Sequence, residues 1–270
     1  MIEIVADNFN IEQIADSGQC FRFKRLEYNK YYVIAFGKYL EIVQNDNRIS
    51  FSCSIEEWEK IYSIYFDMHT DYNYVSTLIR MSNDKYLQEA FRVGSGIRIL
   101  KQDLWESIIS FIVSQNNNIP RIKNSIEAIC YKAGILIDYK GIEGLYAFPG
   151  PNDVDKGFFI DKQLGLGYRD TYLENIYEYT RNNPNWLNDI KSKSYEEAFA
   201  QLLSFKGIGK KVANCICLFG LHHIDAFPID THINQILDQY YPNGFDYEYY
   251  KGYAGIVQQY MFYNKQNNSK

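Results

Sequence analysis

Apolar and polar positions divide this chain into two stretches of different character. Over residues 1 to about 53, short apolar runs alternate with turn-forming residues. Tyr31-Tyr32-Val33-Ile34-Ala35-Phe36 and Tyr39-Leu40-Glu41-Ile42-Val43 flank Gly37-Lys38, which predicts two strands joined by a two-residue hairpin turn. A third strand is expected over Arg48 to Cys53, after the turn Asn45-Asp46-Asn47. Helical spacing then takes over, with helices expected at Ile55–Tyr65, Tyr74–Ser82 and Lys85–Phe91. Gly94-Ser95-Gly96 reads as a boundary. The expected fold is α+β, with an N-terminal antiparallel β-sheet domain over 1–93 and a mostly α-helical domain over 94–270.

The second stretch places polar signals at helix ends. Asp103 is positioned to cap a helix Leu104–Val113, whose Trp105, Ile108, Ile109 and Ile112 form a core stripe. Ser114-Gln115-Asn116-Asn117-Asn118-Ile119-Pro120-Arg121 ends it, and three consecutive asparagines read as an exposed turn. Leu164-Gly165-Leu166-Gly167-Tyr168-Arg169 is a glycine-rich turn before a helix from about Thr171. The last helix is expected over Tyr247 to Tyr263, where Gln258 and Phe262 share a face. A buried amphipathic helix with a satisfied glutamine accounts for that pair equally well. The polar tail Asn264–Lys270 is expected to fray.

One stretch, Gln201 to His232, concentrates the chemistry: QLLSFKGIGKKVANCICLFGLHHIDAFPIDTH. An apolar helical turn leads into Gly207-Ile208-Gly209, and a second helix starts at about Lys210. Two glycines around one apolar residue suit a tight hairpin, because glycine tolerates positive φ and close approach. The first backbone N–H groups of a helix lack internal partners and can bind a phosphate. Lys206, Lys210 and Lys211 lie here, and no acid occurs between Gln201 and Asp225. Phe227-Pro228-Ile229-Asp230-Thr231-His232 then reads as a loop entering another helix, with Asp230 near its N-cap.

Composition bounds what such a chain does. With 46% apolar and 23% charged residues it is globular. A net charge of −5 opposes coating nucleic acid through bulk charge and leaves a local basic face possible. The five cysteines, Cys20, Cys53, Cys130, Cys215 and Cys217, lack metal-ligand spacing apart from one C-x-C pair. An odd count without a signal peptide fits a reducing cytosol, and no apolar run is long enough to span a membrane.

KGIGKKVANCIC and PIDTH together resemble the 8-oxoguanine DNA glycosylases of the helix-hairpin-helix superfamily. The proline that usually precedes Gly207 is Lys206 here. The resemblance implies that Lys211 attacks the sugar and that Asp230 assists. It extends to Ser17-Gly18-Gln19-Cys20-Phe21-Arg22-Phe23, which on its residues alone is a turn leading into a strand. There it implies that the Gly18 carbonyl accepts a hydrogen bond from N7–H of 8-oxoguanine, a proton that guanine lacks. It implies that Cys215 and Phe262 flank the extruded base and that Gln258 reads its Watson–Crick edge. Asn116 would fill the gap left in the duplex, and Arg121 and Arg169 would read the orphaned cytosine beside the wedge Tyr168. Gly207, Gly209, Lys210 and His232 would hold phosphates.

The expected activity is therefore a bifunctional glycosylase and abasic-site lyase acting on double-stranded DNA, preferably with cytosine opposite the lesion. A monovalent cation at the hairpin carbonyls is possible, and the missing C-terminal four-cysteine cluster predicts no iron–sulfur centre. A monomer inside the cell is expected, cytoplasmic or nucleoid-associated in a bacterium. Two other readings stand beside it: a glycosylase of the same superfamily for another damaged or mispaired base, and a non-catalytic DNA-binding module.

Overall fold

The computed structural model describes residues 1–268. Strands β1 (Ile2–Val5), β2 (Phe23–Glu27), β3 (Lys30–Ala35), β4 (Lys38–Asn45) and β5 (Arg48–Phe51) form one antiparallel sheet in the order β1-β5-β4-β3-β2. The turn between β3 and β4 falls one residue earlier than expected. Ala35 pairs with Lys38, so Phe36 and Gly37 make the turn, at φ 51° and 72°. Two positive φ values match the twist of a two-residue hairpin, and here Phe36 accepts one of them. β1 and the helix Ile11–Asp16 were not anticipated.

Two hydrophobic cores follow from this layout. The first lies between the sheet, the helix Ile11–Asp16 and a helical segment over 55–65, and buries Ile14, Val33, Leu40, Ile42, Ile49, Phe51 and Phe66. The second is mostly helical and takes in the helices Tyr72–Met81 and Lys85–Gly94, the latter packing against Ala254–Asn267. Residues of the expected 1–93 domain thus enter both cores, the helices Tyr72–Met81 and Lys85–Gly94 joining the second. The segment 97–102 runs along the seam, with Ile97 and Ile99 in the second core and Leu100 in the first.

The helix Leu104–Val113 has the expected bounds, and Asp103 accepts from the Glu106 N–H. It is buried on nearly every side, so its ends fix whatever follows. The last helix begins at Ala254, not Tyr247, because Gly252 takes φ +85° just before it. It also continues through Asn264 to Asn267, with Asn264 only 2% exposed. The expected fraying from Asn264 is corrected by that burial, while Ser269 and Lys270 lie outside the described residues. Among the described residues, no helix is long and apolar enough to cross a membrane.

Candidate active site

The hairpin builds one wall of a cleft. The helix Tyr195–Leu203 leads into the turn, and the second helix, Lys210–Cys215, continues as a π-turn over Ile216–Gly220. Only Gly207 needs positive φ, at +91°, and a Cβ there would lie 2.2 Å from the Tyr172 ring. Gly209 is the N-cap at φ −88°, with nothing within 4 Å of a Cβ built on it. Positive φ and close approach, the reasons for expecting glycine at both positions, hold at Gly207 alone. No side chain caps the N-terminus at Gly209, so the first N–H groups face the cleft bare.

That cleft, about 840 Å³, brings together residues far apart in sequence. Asn116, Gly209, Lys210, Lys211, Asp230 and His232 all line it. Asp230 is the N-cap of Thr231–Tyr240 and accepts from the Ile233 N–H at 2.9 Å, as its position predicted. Lys211 forms no ion pair with it, and its amine lies 5.9 Å from the centre of the Phe111 ring. Lys210 is exposed in the cleft wall, and Lys206 is exposed but is not among the residues that line the cleft.

The asparagine turn forms the opposite wall. Asn116 is exposed at φ 45° and donates to the Tyr168 hydroxyl at 3.4 Å. Arg169, by contrast, is 3% exposed. Its guanidinium donates to the carbonyls of Gln115, Asn116 and Leu166 and lies over the Tyr168 ring at 4.5 Å. These bonds make the Arg169 guanidinium a brace for the 115–116 turn in this structure. Arg121 is exposed, and its Nη2 lies 3.7 Å from a Cβ built on Gly167. It is the free guanidinium of the pair.

Behind Lys211 the cleft narrows into a recess of about 50 Å³. Gly18, Lys211, Cys215, Asp230, Gln258 and Phe262 all line it. Gly18 has φ +76°, and the Phe262 ring lies 3.2 Å from where its Cβ would be. Cys215 is buried, and burial raises its thiol above the ordinary range against the pull of nearby Lys211. Gln258 is 2% exposed; it donates to the Pro228 carbonyl at 3.0 Å and accepts from Gln259. His232 stands at the mouth, its ring 6.1 Å from that of Phe262.

The sequence-level reading overlooked Phe111, Phe219 and Gln259, which also line the recess. Phe111 stacks on Phe219 at 5.4 Å and carries the Lys211 side of the wall. Its spacing of three from Ile108 is a signal for burial, not for a wall of the recess. The Gln259 Oε1 is buried without a partner.

Comparisons with known proteins fit this geometry. Residues 1–108 match the family model for the N-terminal domain of 8-oxoguanine DNA glycosylase. The chain is 35% identical over 158 residues to the N-glycosylase/DNA lyase of Saccharomyces cerevisiae, covering 54% of this chain and 42% of that protein. It is 29% identical over 208 residues to a probable N-glycosylase/DNA lyase of Methanothermobacter thermautotrophicus, covering 69% and 64%. It therefore spans less than two thirds of the length of these curated relatives. Its fold is similar to that of the Clostridium acetobutylicum 8-oxoguanine glycosylase/lyase, solved with double-stranded DNA containing cytosine opposite 8-oxoguanine. That match has a TM-score of 0.91 at 34% identity, and covers 98% of this chain and 94% of the other.

Proposed function

The chain belongs to the 8-oxoguanine glycosylase/lyase family, and we propose that it excises 8-oxoguanine from duplex DNA inside the cell and then cleaves the abasic strand. The observation that carries this reading is the convergence of Lys211, Asp230 and Gly18 on one recess. An amine, a carboxylate and a backbone acceptor meet where an extruded nucleotide would enter.

The proposed chemistry is covalent. The unprotonated Lys211 amine attacks C1′, the bond from C1′ to the base breaks, and the base leaves as a neutral purine after gaining a proton. Loss of the amine proton and opening of the sugar give a Schiff base. Removal of a C2′ proton then expels the 3′ phosphate by β-elimination. Asp230 stabilises positive charge developing on the sugar or assists proton transfer. Its cap bond to Ile233 holds the carboxylate in place for that task.

Recognition divides between the recess and its rim. Among the described residues, the Gly18 carbonyl accepts no hydrogen bond, which leaves it free for N7–H of the lesion. Guanine presents a bare acceptor at N7 and is repelled there. A recess of about 50 Å³ holds a few waters. A purine needs the Phe262 ring to swing off Gly18 and stack on one base face, with Cys215 on the other. Gln258 keeps one N–H for the Watson–Crick edge. On the rim, Asn116 fills the vacated stack beside Tyr168, Arg121 reads the opposite cytosine, and Arg169 braces both. Gly207, Gly209, Lys210 and His232 meet phosphates. A monovalent cation on the hairpin carbonyls would bridge the hairpin to a phosphate.

Borohydride trapping on a duplex with 8-oxoguanine opposite cytosine tests the reading. The protein is expected to be captured covalently, and Lys211→Gln is expected to lose capture and excision while still binding the duplex. No capture of the unsubstituted protein would leave a DNA-binding module. Capture with a different lesion alone would leave a glycosylase of other specificity.

A further inference from the structure

The Gly18 loop is held far more tightly than a surface turn needs. Gln19, next to it, is 1% exposed. Its carboxamide nitrogen donates to the Ser17 hydroxyl at 2.8 Å and to the Arg98 carbonyl at 2.9 Å. Its carboxamide oxygen accepts from the Leu100 N–H at 2.7 Å. Its backbone carbonyl accepts from the Gln102 side chain at 2.6 Å. Ser17 is fully buried and donates in turn to the Ile14 carbonyl at 2.8 Å. Both residues flanking Gly18 are thus fixed, one to the helix Ile11–Asp16 and one to the segment 98–102.

That segment is itself anchored where the recess is built. The Gln102 N–H donates to the Phe219 carbonyl at 2.8 Å, and Phe219 lines the recess beside Lys211 and Cys215. A glycine at φ +76° has the widest conformational freedom of any residue, so an isolated loop here would not hold its carbonyl in one direction. Between Ser17 and Gln19 it has no such freedom.

We propose that Gln19 is a positioning residue for base recognition: it ties Gly18 to the 98–102 seam and so sets where the Gly18 carbonyl stands relative to the Phe219 side of the recess. This inference depends on the proposed reading of Gly18 as the acceptor of N7–H. It goes further by assigning lesion discrimination to a buried side chain that touches neither base nor sugar. A carbonyl displaced by a fraction of an ångström loses both its bond to the lesion and its repulsion of guanine.

Two activities of one protein separate this role from a general structural one. Excision of 8-oxoguanine needs the Gly18 carbonyl; cleavage of a duplex that already carries an abasic site needs Lys211 and no base. For Gln19→Leu, single-turnover excision is expected to fall by about tenfold to a hundredfold, with abasic-site cleavage held within about twofold and the preference for 8-oxoguanine over guanine narrowed. Gln102→Leu removes only the bond to the Gln19 backbone carbonyl, and is expected to give a smaller loss of the same kind. It decides the question if Gln19→Leu does not fold. Equal losses of excision and abasic cleavage in either folded variant, or no loss in either, would overturn the proposal. If the unsubstituted protein cleaves abasic sites but does not excise 8-oxoguanine, it is the reading of Gly18 that fails, before Gln19 is tested.

Discussion

The recess and the rim of this cleft are built on opposite principles. In the recess, Ser17 and Gln258 are each 2% exposed or less, and Gly18 lies in a loop fixed on both sides. On the rim, Asn116, Arg121, Gly209, Lys210 and His232 are exposed, and the hairpin N-terminus is uncapped. Reading one atom of one base needs a rigid acceptor. Binding any duplex needs donors that reach phosphates at low cost in desolvation. Arginine shows the contrast best. Arg169 is buried and spends its donors on three carbonyls, while Arg121 is free. The pair sets one buried, bonded guanidinium against one exposed guanidinium.

The sharpest way to break this comparison uses the two hairpin glycines. Gly207→Ala puts a methyl group 2.2 Å from the Tyr172 ring at φ +91°. The strained φ alone costs about 1–3 kcal/mol, and the clash adds to it. Gly209→Ala meets open space at an ordinary φ. Thermal unfolding is expected to show a large drop for the first and almost none for the second. Comparable drops would mean that the turn is strained throughout. DNA binding by Gly209→Ala, measured in the same preparation, then reads the rim without disturbing the scaffold.

The arginines give a smaller effect that sharpens the division. Arg169→Ala removes the donor from the buried Leu166 carbonyl and the part-buried Gln115 and Asn116 carbonyls, at roughly 1–3 kcal/mol for a group left buried and unpaired. Its main readout is expected to be a lower unfolding midpoint. Arg121→Ala is expected to leave stability intact and to relax the preference for cytosine over adenine opposite the lesion by about 1–3 kcal/mol. Excision rates on the two duplexes measure this directly. A loss of discrimination in Arg169→Ala with stability unchanged would reverse the assignment.

How much of this could be read beforehand follows from the range of each interaction. Asp230 as a cap and Leu104–Val113 as a helix are local features, fixed by residues three or four positions apart, and both were legible. The convergence of Lys211, Asp230 and Gly18 was legible only through the resemblance, because Gly18 reaches the recess from the far end of the chain. The burial of Arg169 was not legible. Its partners lie more than 50 positions away in the Asn116 turn, and an arginine after a glycine-rich turn reads as exposed. The packing of Lys85–Gly94 against the last helix of the chain has the same origin, since its partner lies more than 150 positions away. Gln19 stood in the segment that drew attention to Gly18. Its four partners are backbone groups and polar side chains with no pattern of their own in sequence.

The buried side also differs from the rim in its response to pH, through Glu106 in the first turn of Leu104–Val113. It lies near Arg22, which is 2% exposed and donates to the Tyr146 carbonyl at 2.5 Å. Burial raises the Glu106 carboxyl from 4.5 to about 7, against the opposing pull of Arg22. The unfolded chain gives up this proton near 4.5, while the folded protein keeps it until about 7. The folded state therefore binds more protons across that window, and this contribution to stability, complete below 4.5, is lost as pH rises through 7. Glu106→Gln keeps the shape and removes the titration. At pH 8 the variant is expected to unfold about 2–4 °C higher than the unsubstituted protein, the shift that about 1 kcal/mol gives a chain of this size. At about pH 4.5 the two should converge. Parallel stability profiles across the range would show that Glu106 ionises freely, and that the surroundings of Arg22 tolerate charge as readily as the rim does.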